Sequence, residues 1–449
     1  MTATRDMISV STPETATPQD LGPQDIIIDK LVYGGEGLGR LPSGEVIFTN
    51  WSAPGDELTV LPQPGKPLRG QIQQIRAASP DRIAATCAVF GQCGGCNWQH
   101  ISGESQRDWK NRIVQESLQR IGKFSEISVP VTLGEDATAW AYRNRAQWDV
   151  EPAGPNGPLL GYHAAQSKAI VEFDHCHILP EGLNQLALQI RTMLRQNPGL
   201  AQGLKRVEAI RNQAGQTLLI FDSTNRAASL ALAHALEEVI PDLVGVSFRN
   251  ISKPHPSPVL LTGQNYLRET MAGKTYQLSA GSFFQTNLHG ASQLLSVLEA
   301  AILPNAQSLL DIYAGVGVFA MHFSGRVPRV LAVESAHSAM ADAKENLGLN
   351  GIKNVELSRG EARAVLHGLK EEFDVAIIDP PRAGCTPEVL VWINKYVKQQ
   401  LLYVSCNPTT LARDLKTLAA AGWHVDRVQP VDMFPQTYHI ECVAVLRRA

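Results

Sequence analysis

From residue 24 to about 80 the apolar positions come in short alternating runs, cut by turn residues. "DIIID", "EVIF" and "DELTV" are separated by Gly34-Gly35, Ser43-Gly44-Glu45 and Pro54-Gly55. A period of two with frequent turns predicts a small β-barrel over 24–83. The period then changes. Trp109, Ile113, Val114, Leu118 and Ile121 recur at helical spacing, which predicts an amphipathic helix over 104–121 whose apolar face packs on the C-terminal domain. A mixed stretch follows to 275, with strand-like "TLLIFD" (217–222) and "LVGVSF" (243–248) around an Ala/Leu-rich helix at 228–239. From 276 onward helical segments alternate with the apolar runs of "SLLDIYAGVG", "VLAVES", "DVAIIDPP" and "LLYVSCNP". That alternation predicts an α/β domain with a doubly wound parallel sheet. Residues 1–23, rich in Thr, Ser and Pro, read as a disordered tail. The expected division is therefore 1–23, 24–83, 84–275 and 276–449.

Composition changes this picture little. A chain of 449 residues exceeds one ordinary core, and 44% hydrophobic with 18% charged residues is an ordinary soluble balance. No run of about 20 apolar residues suggests a membrane span, and the N-terminus lacks the apolar stretch of a signal peptide, so a cytoplasmic, monomeric protein is expected. The net charge of −3 gives no bulk sign of a nucleic-acid partner, which would need a local positive groove. Seven cysteines in such a chain point to metal binding or catalysis before disulfides.

In doubly wound sheets ligands sit beyond the carboxyl ends of the strands. "DIYAGVG", "ESA", "DPPR" and "SCNP" all fall there. Gly315 and Gly317 allow close backbone approach to a ligand. About 20 residues on, Glu334 ends the next strand, where a carboxylate can accept hydrogen bonds from a ribose. Asp379-Pro380-Pro381 leaves a third strand in a rigid, extended form that aims the Asp379 carboxylate at the same rim. Cys406 ends a fourth strand. Thr409 or Thr410 can cap the helix that follows, and the helix dipole would favour the thiolate.

A thiolate beside a nucleotide-like pocket suits one demanding reaction. Carbon 5 of uracil is a poor nucleophile, but thiolate addition at carbon 6 makes the ring an enolate whose carbon 5 can attack an electrophilic methyl group. A base must then remove the carbon-5 proton. Glu441, at the start of the last apolar run, is either that base or a plain turn residue.

Taken together, "GSFFQTN" (281–287), "DIYAGVG", "VES", "DPPRAG", "VSCNP" and "DMFPQTYHIE" resemble the S-adenosylmethionine-dependent RNA uracil-5-methyltransferases in order and spacing. The resemblance implies a class I methyltransferase sheet, Cys406 as nucleophile and Glu441 as proton acceptor. It implies that Gln285, Tyr313, Glu334 and Asp379 contact S-adenosylmethionine. "KLVYGGEGLGRLPSGEVIFTNWSAPGDE" is similar to a TRAM domain, an RNA-binding barrel, and Arg143 and Arg145 in "AYRNRAQW" become RNA contacts or a solvated strand edge. The chain departs from the family pattern at Ala314 and Val318, where Cys and Asn are frequent, and at Gln436, where His is frequent. The last change is expected to matter little. Cys385 and Cys442 are read as packing residues, and His439 as either an orienter of Glu441 or a structural ring.

Cys87, Cys93 and Cys96 form C-x5-C-x2-C, and Cys176 lies far downstream. Four thiolates suit tetrahedral zinc or an iron–sulphur cluster, and the lone distant fourth ligand favours the cluster. The resemblance agrees, since one branch of the family carries a [4Fe-4S] cluster on this spacing. The resemblance also implies 23S ribosomal RNA as substrate, since barrel and cysteines together mark the family's ribosomal branch over its shorter bacterial tRNA branch, with tRNA uridine-54 methylation, or RNA binding and remodelling on the same fold, as alternatives.

Overall fold

Five strands, β1 (Gln24–Leu31), β2 (Gly37–Arg40), β3 (Val46–Thr49), β4 (Glu57–Gln63) and β5 (Arg69–Ala77), close into a barrel in the order β1-β2-β3-β5-β4. Alternation turns Ile26, Ile28, Ile47, Leu58 and Val60 inward, where they form its core with Leu41 and Leu68. The computed structural model describes residues 22–125, 139–154 and 157–448. The expected tail therefore lies almost wholly outside the described residues. The chain forms two compact units, one reaching to Ile83 and one from Ala84 onward.

The second unit holds two seven-stranded sheets. The first contains β6 (Arg145–Glu151), β7 (Leu159–His163), β8 (Ile170–Val171), β9 (Leu204–Arg211), β10 (Thr217–Ser223), β11 (Leu243–Asn250) and β12 (Val259–Gly263). Its order is β12-β11-β10-β9-β6-β7-β8. One face buries Trp148, Val207, Leu219, Phe221 and Val246 against helices Glu181–Gln196 and Arg226–Glu237. The other carries ion pairs of Glu208 with Arg145 and Arg249, and of Arg249 with Asp222.

A hairpin, β13 (Tyr266–Met271) and β14 (Lys274–Ser279), leads into the second sheet. The expected boundary at 276 falls inside it. Gln277 N donates to Asn346 Oδ1 at 2.6 Å and Ser279 N to Asp342 Oδ2 at 2.8 Å, so β14 lies along helix His337–Leu349.

The second sheet comprises β15 (Ser308–Ile312), β16 (Arg329–Glu334), β17 (Val355–Arg359), β18 (Phe373–Ile378), β19 (Val397–Ser405), β20 (Trp423–Val431) and β21 (Glu441–Arg448), ordered β17-β16-β15-β18-β19-β21-β20. The first five are parallel, while β21 inserts antiparallel between β19 and β20. Unbroken buried runs such as Leu309–Ile312, Val330–Val333 and Val375–Ile378 follow from burial of a parallel sheet on both faces. The strand order reverses between β15 and β18, which opens a crevice at their carboxyl ends.

The predicted amphipathic helix spans Gly103–Ser117 and buries Trp109, Ile113 and Val114. Ile121 is exposed, contrary to its place in the apolar stripe. Residues Leu118–Gly122 wind into a wider π turn that ends at left-handed Lys123, which carries Ile121 off the buried face.

Candidate active site

The crevice begins where β15 stops. Tyr313 N and Ala314 N both donate to Val333 O, at 2.9 and 3.0 Å, and Gly317 N closes the turn on Ala314 O. The turn needs positive φ at three positions. Gly315 (φ 57°) and Gly317 (φ 89°) supply two of them at no Cβ penalty, and Tyr313 (φ 69°) is held in the third by the paired bonds to Val333. Gly315 N donates to Glu334 Oε2 at 3.0 Å and Ala336 N to Glu334 Oε1 at 2.7 Å, so the acidic end of β16 is fixed against the glycine turn. Beneath it Asp311 is fully buried. One carboxyl oxygen accepts from Ala320 N at 2.9 Å, and the other has no hydrogen-bond partner among the described residues. Burial, with Asp379 and Glu334 adding repulsion, pushes this carboxyl up to about 8.

Gln285, Tyr313 and Asp379 line one cavity together with Ala314, Gly315 and Val318. Three of the four expected cofactor contacts thus share one space, and Glu334 adjoins it through Gly315. The Val318 side chain is on the wall and offers no hydrogen bond. Phe283 is 64% exposed on the same rim, an apolar ring that periodicity gave no reason to single out.

Asp379 joins this cavity to the thiol. β18 ends at Ile378, and Asp379 N reaches Ile312 O at 3.3 Å. The DPPRAG turn is then tied to the segment after Cys406. Asn407 Nδ2 and Thr410 Oγ1 donate to Arg382 O at 3.1 and 3.2 Å, and Arg413 Nη2 donates to Ala383 O at 2.9 Å. Buried Asp414 accepts from Cys385 N at 2.9 Å and from Tyr403 OH at 2.6 Å. Asp414 carried no sequence signal beyond its place in a helix.

The register of β19 and β21 explains the pairing of Cys406 with Glu441. Ser405 lies opposite Cys442 in that antiparallel ladder. One step further, Cys406 and Glu441 leave the two strands side by side. Glu441 is a strand residue, 7% exposed, and its Oε1 has no hydrogen-bond partner among the described residues. Burial and the nearby Asp379 raise its carboxyl well above the usual range, against the opposing pull of Arg382. Cys406 is half-buried, and burial together with the charges of Glu441 and Asp379 pushes its thiol up to about 11.

Two expectations change here. Neither threonine caps the following helix. Pro408 takes its first position, where no N–H is needed, so Asn407 becomes the cap and accepts from Thr409 N at 3.0 Å. The helix dipole also does not dominate the thiol, because burial and two carboxylates outweigh it in the ligand-free protein. Arg382, exposed at the rim, favours charge on both Cys406 and Glu441. His439 is half-buried, packed on Tyr438 at 4.3 Å between ring centroids. Burial, then Arg382, hold it down to about 4, so it is a neutral imidazole at physiological pH.

Arg143 and Arg145 part company. Arg145 is engaged with buried Glu208 and donates to Ser282 O at 3.1 Å, so it is no solvated edge. Arg143 lines a cavity of about 650 Å³ with Arg211, Asn212, Glu269, Asn287 and His289, and its Nε is buried without a hydrogen-bond partner among the described residues.

Cys87, Cys93, Cys96 and Cys176 all line a further cavity of about 70 Å³ walled by Val89, Phe90, Tyr162 and Phe173. Gly94 N donates to His163 O at 2.9 Å, and a Cβ at Gly94 would stand 3.2 Å from that carbonyl, which accounts for the glycine. Burial raises Cys93, and pushes Cys96 up to about 11 and Cys176 up to about 12. Among the described residues no three His, Cys, Asp or Glu side chains are arranged to hold a metal ion. The thiols surround one void without closing on a single point. No helix among the described residues is long and apolar enough to cross a membrane.

Comparison with known proteins places this geometry. The sequence profile of the tRNA (uracil-5-)methyltransferase family matches residues 136–449. An uncharacterized RNA methyltransferase of Gloeobacter violaceus is 34% identical over 440 residues, covering 94% of this chain and 96% of that protein. One from Halalkalibacterium halodurans is 32% identical over 446 residues, with the same coverage. The structure of Pyrococcus abyssi tRNA (uracil-54, C5)-methyltransferase in complex with S-adenosyl-L-homocysteine matches with a TM-score of 0.75 and 25% identity, over 94% of this chain and 99% of that one. The chain belongs to the tRNA (uracil-5-)methyltransferase family of RNA-modifying enzymes.

Proposed function

We propose that this enzyme methylates carbon 5 of a specific uridine in RNA through a covalent bond between Cys406 and carbon 6 of the base. The observation that carries the reading is the antiparallel register that sets Cys406 beside buried Glu441, next to Asp379 on the wall of the cavity shared by Gln285 and Tyr313. S-adenosylmethionine supplies the methyl group and leaves as S-adenosylhomocysteine. Gln285, Tyr313, Glu334 and Asp379 are the residues proposed to hold it. Cys406 loses its proton to solvent and adds to carbon 6, which places the electron pair of the 5,6 double bond on the enolate. Carbon 5 of that enolate takes the methyl group. Glu441 then accepts the carbon-5 proton, the double bond re-forms, and the Cys406 sulphur departs as thiolate. The target base has to leave its stack to reach the thiol, and the 650 Å³ cavity beside Arg143 and Arg211 is proposed to take flanking nucleotides.

Burial raises both the thiol and the carboxyl, and Arg382 opposes it at each. A sulphonium in the cavity would favour both charged forms.

The four cysteines are proposed to hold an iron–sulphur cluster rather than one ion. Four thiols around one void with apolar walls offer donors, and a [4Fe-4S] cluster is bulkier than zinc. If it is bound, Cys87, Cys93, Cys96 and Cys176 hold it and fasten the central sheet to the segment before helix Gly103–Ser117. It takes no part in methyl transfer, which moves no net electrons.

Two RNA targets divide the reading. The barrel and cysteines favour 23S ribosomal RNA. The Pyrococcus relative, named as acting on tRNA uracil-54, matches over 94% of this chain, so the same architecture serves a tRNA enzyme and supports tRNA as the second reading. Incubation with S-adenosylmethionine and either tRNA or 23S rRNA lacking modification, followed by nucleoside mass spectrometry, separates them. 5-Methyluridine in one RNA identifies the substrate. Absence of 5-methyluridine from both would reject the proposed function.

A further inference from the structure

Glu441 opens β21 opposite Val431 of β20, and several elements hold the loop 432–440 that joins these two strands. Four successive carbonyls each accept from a different segment. Met433 O takes Asn287 Nδ2 at 2.9 Å, Phe434 O takes Lys110 Nζ at 3.0 Å, and Pro435 O takes Tyr142 OH at 3.0 Å. Gln436 O takes both Asn97 N and Trp98 N at 3.0 Å, and these residues directly follow Cys96. Gln436 and Gln106 also form a reciprocal pair. Gln106 Nε2 donates to Gln436 Oε1 at 3.1 Å, and Gln436 N donates to Gln106 Oε1 at 3.0 Å. Lys110, fully buried, pairs with Asp432 Oδ1 at 2.6 Å. Gln106 and Gln436 are 2% and 6% exposed, so these bonds are made away from water, where each is expensive to leave unmade.

The loop's own bonds, from Thr437 N and Oγ1 to Phe434 O, are joined at Gln436 by bonds from outside the loop. Gln436 has φ 68°, a left-handed backbone that a non-glycine residue adopts only when its surroundings impose it. The imposing contacts come from helix Gly103–Ser117 and from the segment after Cys96. Gln436, where the family resemblance suggested an inconsequential change, is the point at which the segment after Cys96, the helix and the loop before Glu441 meet.

We propose that Gln106 and Lys110 are positioning residues for proton removal, holding the 432–440 loop so that Glu441 reaches carbon 5 of the Cys406-bound base. The inference rests on the proposed uracil chemistry. It assigns to the cysteine segment and its helix a role in the second half of that reaction, after the methyl group has moved. Cys406 follows β19 and lies outside this loop in the chain, so loosening the loop should affect the second half of the reaction more than the first.

The test uses the full chain and two variants. Gln106→Leu removes the reciprocal pair while keeping the helix. Lys110→Met with Asp432→Leu replaces the buried ion pair by apolar groups of similar size, a change that such pairs often tolerate. Three quantities are read on the RNA that the parent protein methylates. They are turnover, the denaturation-resistant adduct on ordinary RNA, and the trapping rate on the same transcript made with 5-fluorouridine, which stops before proton removal. Both variants are expected to trap within about twofold of the parent. Turnover should fall about 10- to 100-fold, as for a misplacement near 1 Å, while adduct on ordinary RNA accumulates. Unchanged turnover overturns the proposal, as does an equal fall in trapping and turnover, which marks general loosening. If Gln106→Leu does not fold, the ion-pair variant decides alone. If the parent itself never traps fluorinated RNA, the uracil chemistry fails, and that outcome is distinct from failure of the positioning role.

Discussion

Asp311→Asn should stabilise the protein, and by an amount that grows with pH. Asp311 sits at the end of β15 with one oxygen on Ala320 N and the other unpartnered, in a site that pushes its carboxyl from 3.8 up to about 8. The folded form therefore binds a proton that the unfolded chain releases. For a group raised in this sense, stability is fully present below pH about 4 and is lost as pH climbs to about 8. At pH 7 the loss is about 3 pKa units, or roughly 4 kcal/mol at 1.36 kcal/mol per unit. Asparagine keeps the acceptor for Ala320 N. Its amide N–H is no worse placed than the O–H of the neutral acid, so most of that loss should be recovered. With about 2.1 cal/mol/K per residue of unfolding entropy and roughly 360 residues in this unit, the gain is up to about 5 °C in Tm at pH 7. Thermal melts of both proteins at half-unit steps from pH 4 to pH 9 should show curves that coincide at the acid end and diverge with rising pH. A difference independent of pH, or a less stable variant at pH 8, would refute the reasoning.

Other consequences can be checked on the same protein. With the Cys406 thiol pushed up to about 11, its alkylation by iodoacetamide in the ligand-free enzyme should rise about tenfold per pH unit through pH 9; a plateau below pH 8 would contradict this. Glu441→Gln removes a negative neighbour and should speed that alkylation at pH 8, while in the presence of RNA and S-adenosylmethionine a denaturation-resistant RNA adduct should build up; slower alkylation, or no adduct, counts against the assigned role. Protein purified without oxygen should carry iron and sulphide with broad visible absorbance, both lost in Cys176→Ala; stoichiometric zinc would replace the cluster by a mononuclear site.

How much was visible in the sequence followed from how local each cause is. Alternation around Ile26, Ile28, Leu58 and Val60 announced the barrel, and the continuous apolar runs ending at Ile312, Glu334, Ile378 and Ser405 announced a parallel sheet with its crevice. Gly315, Gly317 and the prolines after Asp379 acted through their own backbones and were readable in place. The pairing of Cys406 with Glu441 was implied by family resemblance alone. Its cause is the insertion of β21 between β19 and β20, a long-range register that no local pattern encodes. The weight of burial over the helix dipole at Cys406 was hidden for the same reason, since Asp379 and Glu441 arrive from distant strands. Gln106, Asp414 and Gln436 look like ordinary polar residues in a helix or a turn. Their partners lie up to 330 positions away. Ile121 misled because helical spacing was carried through a π turn, where the period changes.

The central claim is that the sulphur of residue 406 bonds to carbon 6 of uracil. Its most direct test is peptide mapping by mass spectrometry after reaction with S-adenosylmethionine and a 5-fluorouridine transcript of the substrate RNA. The account predicts a methylated fluorouridine nucleotide attached to the peptide that contains Cys406, and none with Cys406→Ala. An adduct on any other residue, or full methylation by Cys406→Ala, would contradict it.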